Sequence, residues 1–297
     1  MMNGSGTQAD PYLITTCQEF LSFLKTMSGY AKLTRNLDCN DDGLLEWDSG
    51  SNISNGNKEI DFNGHYLANV FIPENGNFYH GYYNGGKAHF KNGAIINVYE
   101  QAANMFTSDA TFFNFALDIK ANTFHSTWGI IRGWGSGTIF DYCNVRITNV
   151  NVNNQDYWLS CENNAFFATN SKFTLNGVIS STGSLFEGIS NSSSQSFGFK
   201  NCLIEGKLTG GGTKPLIDYS QSNRGAICVG TIFRVNLTGC ACPSLFSNNS
   251  NSVNIIDSST YNQGLSLGSD IKSLTDAQIR SHNKLDEIGF DTVEVIE

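Results

Sequence analysis

Carboxylates are the side chains of this chain whose chemistry is easiest to name. Asp118, Asp141, Asp156, Glu162, Glu187, Glu205 and Asp218 run through its middle. Hydrolysis of a glycosidic bond needs two such groups, about 5 Å apart for retention and about 6.5–9.5 Å apart for inversion. No two of them form a tight motif. The Asn-Thr-Asp, Gly-His-Gly and Arg-Ile-Lys signatures of pectinase-like enzymes are absent, and Gly64 and His65 are followed by Tyr66. A sugar-cleaving site would have to be assembled from distant segments, with Asp141, Glu162, Glu187 and Asp218 as its candidates. The five histidines are scattered and none pairs with a Ser or Cys nucleophile, so no triad is expected. The adjacent Asp41 and Asp42 read as an exposed loop. The balance favours a protein without turnover.

Aromatic residues offer a different chemistry. "FYHGYYNGG" from Phe78 and "STWGIIRGWGSG" from Ser126 are glycine-flanked aromatic stretches. "NNQDYWLS" from Asn153 sets Tyr157 and Trp158 beside amide and carboxylate groups. Tyr82, Tyr83, Trp128, Trp134, Tyr157 and Trp158 are the candidates for stacking on a sugar ring, because an aromatic face is apolar and its surroundings here are polar. The plainer alternative is that these rings fill corners of the fold or a subunit interface.

Composition narrows the partners. The net charge of −9, with only 15% charged residues, disfavours nucleic acid and anionic membrane surfaces. No stretch approaches the roughly 18 apolar residues of a membrane span, so no membrane insertion is expected. The first thirty residues lack the basic start and apolar core of a secretory signal. Eight cysteines in a chain of this length, without such a signal, read as reduced buried thiols. Cys240 and Cys242 are the suggestive pair, but no second Cys/His pair stands at ligand spacing, so neither a metal nor a cofactor is expected.

The elements that would position these residues repeat. "FKNGAIIN" from Phe90, "FDYCNVRITN" from Phe140 and "FKNCLIEGKL" from Phe199 are copies of one unit, with weaker copies at Phe62, Phe112, Ala168 and Ile232. Their spacing of about 22 to 33 residues is that of a solenoid. Within a copy, Cys143, Val145 and Ile147 alternate with Asn144, Arg146 and Thr148, the period of a strand with one buried face. Cys143 and Cys202 fall at equivalent interior positions. Interspersed Gly and Asn, as in Asn176-Gly177 and Gly210 to Gly212, are expected to supply the positive-φ corners between strands. The fold class is all-β: a right-handed single-stranded parallel β-helix with short helical caps at both ends. An antiparallel sandwich competes, but it leaves the recurring unit unexplained.

Both ends read as covers. Thr16 and Glu19 form a capping box, and a helix over about 16–27 carries Phe20, Leu24 and Met27 on one stripe with Leu21 and Phe23 beside it. Thr275 and Gln278 form a second box ahead of Ala277, Ser281, Leu285 and Ile288, and Gly289 stops that helix. "FDTVEVI" from Phe290 reads as a closing strand. The expected organisation is a cap region 1–61, rungs over 62–260 and a C-terminal helix and strand over 261–297.

"GSGTQADPYLITTCQEFLSFL" from Gly4 resembles the opening motif of β-helical surface proteins that carry GLUG repeats: a Gly-x-Gly-Thr lead, an Asp-Pro-Tyr-x-Ile strand and a Leu-rich helix. "LTDAQIRSHNKLDEIGFDTVEVI" from Leu274 is similar to their closing segment, with Phe290 where Trp is common. The middle matches in style and holds no clean GLUG repeat. The resemblance implies an adhesive or structural role, on bacterial surfaces or in phage particles. Without an export signal or anchor, the expectation is a phage virion protein: a tail, head-fibre or spike component. Its partners would be other virion proteins and a host-surface glycan, and the resemblance to spikes implies a homotrimer. A polysaccharide depolymerase and a bacterial surface adhesin are the alternatives.

Overall fold

Strand alternation decides what lies inside. In Ile139–Asn149, Phe140, Cys143, Val145 and Ile147 are buried, while Arg146 is exposed. The computed structural model describes residues 2–48, 56–73, 76–79, 86–101, 106–107, 110–121, 130–134, 139–149, 157–162, 167–179, 184–189, 197–210, 216–218, 226–229, 231–238, 255–256 and 261–262. The named strands pair in parallel throughout, and each pairs with the strand one coil earlier or later. This is a parallel β-helix, and the right-handed coil is the hand that strand twist favours in parallel crossovers.

Two consecutive arms of each coil lie in the larger sheet. Phe167–Thr169 and Lys172–Ile179 are the arms of one coil, Phe197–Lys200 and Leu203–Gly210 those of the next. A separate five-stranded sheet of Phe106–Thr107, Ile131–Trp134, Tyr157–Glu162, Ser184–Ile189 and Ile217–Asp218 forms a third face.

Equivalent interior residues pile up as columns. Phe90, Phe112, Phe140, Ala168 and Phe199 are successive register partners. Phe90 stacks on Phe112 at 5.3 Å and Phe112 on Phe140 at 4.9 Å. Along the inner corner come Gly93, Phe115, Cys143, Ser171 and Cys202. The Cys143 N–H donates to Ser171 Oγ at 3.0 Å. Cys143 and Cys202 are thus equivalent, as the repeat predicts. Burial pushes both thiols up to about 12, so they are unreactive packing groups.

Of the two residue types expected at the corners, asparagine builds the outer one. The outer corner between the first two arms is built by asparagine in the left-handed region, at Asn92, Asn114, Asn170 and Asn201. A short side chain that bonds locally tolerates this conformation. Gly177 and Gly210 also have positive φ; Gly177 lies inside Lys172–Ile179, whereas Gly210 ends Leu203–Gly210. At Gly177 a Cβ would sit 1.9 Å from Asn149 O, so glycine serves close backbone approach there. Gly211 and Gly212 lie outside the described residues.

The first helix, α1 (Cys17–Thr26), covers the open end. Its N-terminus is held from three sides. Thr16 Oγ1 accepts from the Glu19 N–H, Glu19 accepts from the N–H and hydroxyl of Thr15, and Asp42 accepts from the Cys17 N–H at 2.7 Å. Thr16 is thus the N-cap as expected, and only the reciprocal bond of the capping box falls one residue earlier, on Thr15. Asp42 also pairs with Arg35 at 2.6 Å, so within its turn it is a structural clamp, while Asp41 is exposed as expected. Phe20 plugs the interior against Trp47, Phe62 and Phe78.

Cys17 and Cys39 form a disulfide, where reduced thiols were expected. Capping brings the helix start within 5.5 Å, Cα to Cα, of the residue after Leu37–Asp38, a proximity that sequence spacing does not reveal. The parallel ladder already includes Tyr12–Ile14, Gly29–Leu33 and Lys58–Asp61, so rungs run through the segment read as the cap. The C-terminal helix and closing strand lie outside the described residues.

Candidate functional site: the outer corner around Asp141

The solvent side of the larger sheet is laddered by hydrogen bonds between rungs. At the asparagine corner, Asn92 Nδ2 donates to Asp61 at 3.2 Å, Asn114 to Asn92 at 3.3 Å and Asn201 to Asn170 at 3.2 Å. On the second arm, Arg146 grips Asp118 through two hydrogen bonds of 2.8 and 2.6 Å. Glu205 bridges Lys172 and Arg234. Burial works to raise the Glu205 carboxyl, but those hydrogen bonds and charges outweigh it and hold it below the ordinary carboxylate range. These two acids tie coils together.

One coil breaks the asparagine column. Tyr142 occupies the position held by Asn114 before it and Asn170 after it, at φ 53°. A tyrosine there costs about 1 kcal/mol that asparagine largely avoids. With no amide at 142, Asn170 Nδ2 donates instead to Asp141 Oδ1 at 3.2 Å, and the Thr169 hydroxyl donates to the same oxygen. Asp141 patches the interrupted ladder. Its register neighbours are Phe113 and Thr169, so no second acid stands beside it there.

The break exposes aromatic surface. Tyr142 is 42% exposed and meets Phe113, 50% exposed, edge to face at 6.1 Å. Ile139, 40% exposed, lies three residues before Tyr142 on the same strand, opposite Thr111 in register. Asn114, Thr111 and Lys91 stand in adjoining register positions. Sequence reasoning passed over Phe113 and Tyr142. The signal was present: aligned copies read Phe-Lys-Asn, Phe-Phe-Asn, Ala-Thr-Asn and Phe-Lys-Asn, against Phe140-Asp141-Tyr142.

The expected site residues are dispersed. Asp141 lies on the larger sheet, whereas Glu162, Glu187 and Asp218 lie on strands of the five-stranded sheet. There Glu187 and Asp218 are register partners on adjacent strands, and Trp134 is the partner of Glu162. Trp158 is fully buried between Ile130 and Leu185 in strand order, so it belongs to the core and is no stacking surface. Strands of this third face bury consecutive residues, Trp158 with Leu159 as Leu185 with Phe186, a departure from alternation that the sequence pattern did not announce. Tyr157 is placed on the same strand by its backbone. Tyr82, Tyr83 and Trp128 lie outside the described residues. Among the described residues no cluster of His, Cys, Asp and Glu could hold a metal ion, and no helix is long and apolar enough to cross a membrane.

No family model and no curated protein matches this chain. A solved structure of a candidate immunoglobulin A1 protease from Bacteroides ovatus resembles it at 14% identity, over 92% of this chain and 81% of that one, with a TM-score of 0.45. A likeness at that level carries no argument about what this chain does.

Proposed function

We propose that this chain is a non-catalytic attachment scaffold: a β-helical component of a phage particle, in its tail, head fibre or spike, that meets a glycan on the host surface. The observation that carries the reading is the use made of the outer flank. Asp118, Asp141 and Glu205 are committed to bonds between coils, while the apolar rings of Phe113 and Tyr142 face solvent. A surface so arranged holds a ligand without activating water. The Cys17–Cys39 bridge supports a working place outside a reducing cytosol, as on a released particle or a cell surface.

A second reading keeps one specific support. Glu187 and Asp218 are one strand apart in register, and strands lie about 4.8 Å apart. That backbone spacing approaches the separation of a retaining pair of carboxyls. A depolymerase would place its chemistry on this third face.

The test is to incubate the protein with bacterial capsule and O-chain polysaccharide and follow polymer length and co-sedimentation. Polymer of unchanged length that sediments with the protein supports attachment. Shortened polymer, abolished by Glu187→Gln or Asp218→Asn, replaces it with the depolymerase. Proteomics of purified phage particles tests the location, and absence of the chain from them moves the assignment to a cell surface.

A further inference from the structure

We propose that Phe113 and Tyr142 form a subsite for one pyranose ring, with the C–H face of the sugar on the tyrosine and its hydroxyls on the asparagine corner. This rests on the attachment reading and names the place on the flank where attachment occurs.

Three observations point there. Between Asn92 and Asn201, Tyr142 is the residue at which this column departs from asparagine, and the departure breaks the amide ladder. Packing does not explain it, because the ring is 42% exposed and its contact is with another exposed ring, Phe113. The surroundings also match a polyhydroxylated ligand. Asn114 is exposed one coil before the tyrosine, and the half-buried Asp141 carboxylate, whose Oδ1 takes the bonds from Asn170 and Thr169, stands beside it. Lys91 shares the register column of Phe113 and Asp141. An apolar spot ringed by fixed donors and acceptors suits a sugar, whose ring is apolar on its face and polar at its edge.

The size of the patch selects the occupant. Phe113 and Tyr142 are two side chains, whereas a stable protein partner needs about 800 Å² on each side. The two rings meet edge to face, so they offer one flat face and one edge rather than a long platform. That geometry seats one sugar residue and lets a polymer run on past the polar corner.

The strain makes the test clean. Tyr142→Asn restores the residue type of the neighbouring coils and lets Asn170 and Asn114 bond through it. It is expected to unfold no earlier than the parent protein while losing the sugar. The probe is a printed array of bacterial O-chain, capsular and β-glucan oligosaccharides, read with fluorescently labelled protein and followed by titration of the brightest feature. The parent protein is expected to bind. Tyr142→Asn and Phe113→Ser are expected to weaken binding tenfold or more, and Tyr142→Phe to stay within about threefold, since the stacking face remains. Thermal unfolding of each variant separates lost binding from lost folding. Binding by the parent that both substitutions leave unchanged overturns this subsite and leaves the attachment reading standing. A parent protein that binds no feature overturns the subsite and the glycan-binding role together.

Discussion

Opening the Cys17–Cys39 bridge should loosen the cap by an amount that follows from chain length. The bridge closes a loop of 22 residues. The chain-entropy relation for such a loop corresponds to about 3.4 kcal/mol at 25 °C. The segment it closes contains α1, Gly29–Leu33 and Leu37–Asp38, so local detachment of the cap is the opening it opposes. By that value, reduction should lower hydrogen-exchange protection of the α1 amides about 300-fold. The assay is exchange followed by mass spectrometry on peptides covering residues 17–26, with and without a phosphine reductant. Peptide mapping confirms free thiols at Cys17 and Cys39. The Asp42 contacts to the Cys17 N–H and to Arg35 persist after reduction, so the helix should remain formed and only open more often. The same reduction should leave Lys172–Ile179 unaffected, because coils communicate only with their neighbours. Protection of α1 that changes less than threefold, with both thiols shown to be free, would refute the claim that the bridge holds the cap down.

Further outcomes follow from single residues. Gly206→Ala would set a Cβ 1.8 Å from Leu175 O at φ +152°, and should cost about 2 kcal/mol or more in denaturant unfolding; a loss under 0.5 kcal/mol would show that the backbones separate freely. Burial lowers Lys58 from 10.5 to about 8, although its ammonium donates to the Met27 carbonyl at the end of α1. The folded state disfavours the charged form, so stability should rise by about 3 kcal/mol from this group as pH climbs from 8 to 10.5, and the rise should vanish in Lys58→Met. Glu100 is fully buried without a hydrogen-bond partner, and burial raises its carboxyl well above the ordinary value of 4.5. The stability it permits is present in acid and lost as pH rises above 4.5, so Glu100→Gln should gain on the parent protein progressively above that pH; parallel pH profiles would contradict this.

The architecture was legible because it is written locally. Alternation in "FDYCNVRITN" sets which side of a strand is wet, recurrence sets the coil, and Thr16 with the apolar stripe sets α1. Equivalence of Cys143 with Cys202 followed from aligning the copies, and the structure places both at the inner corner. The register of the coils was not legible to the same degree. Composition points to Gly and Asn together at the corners, and only the structure selects asparagine for the outer one, because both residues reach positive φ and the ladder of side-chain amides favours asparagine.

Tertiary structure alone decided what the chemistry-bearing residues do. Asp141 and Glu187 looked alike as carboxylates in repeated units, yet they lie on different sheets. Trp158 looked like a sugar platform and is core, since the third face of the coil buries two consecutive residues of one strand. Cys17 and Cys39 meet because a helix folds over an open end, and Phe113 meets Tyr142 because one coil lies on the next. Periodicity is a property of neighbours along the chain, so the sequence by itself determined the solenoid and its inside. A site is a property of neighbours between coils, whose loop lengths differ, and those distances existed only once the coils were stacked.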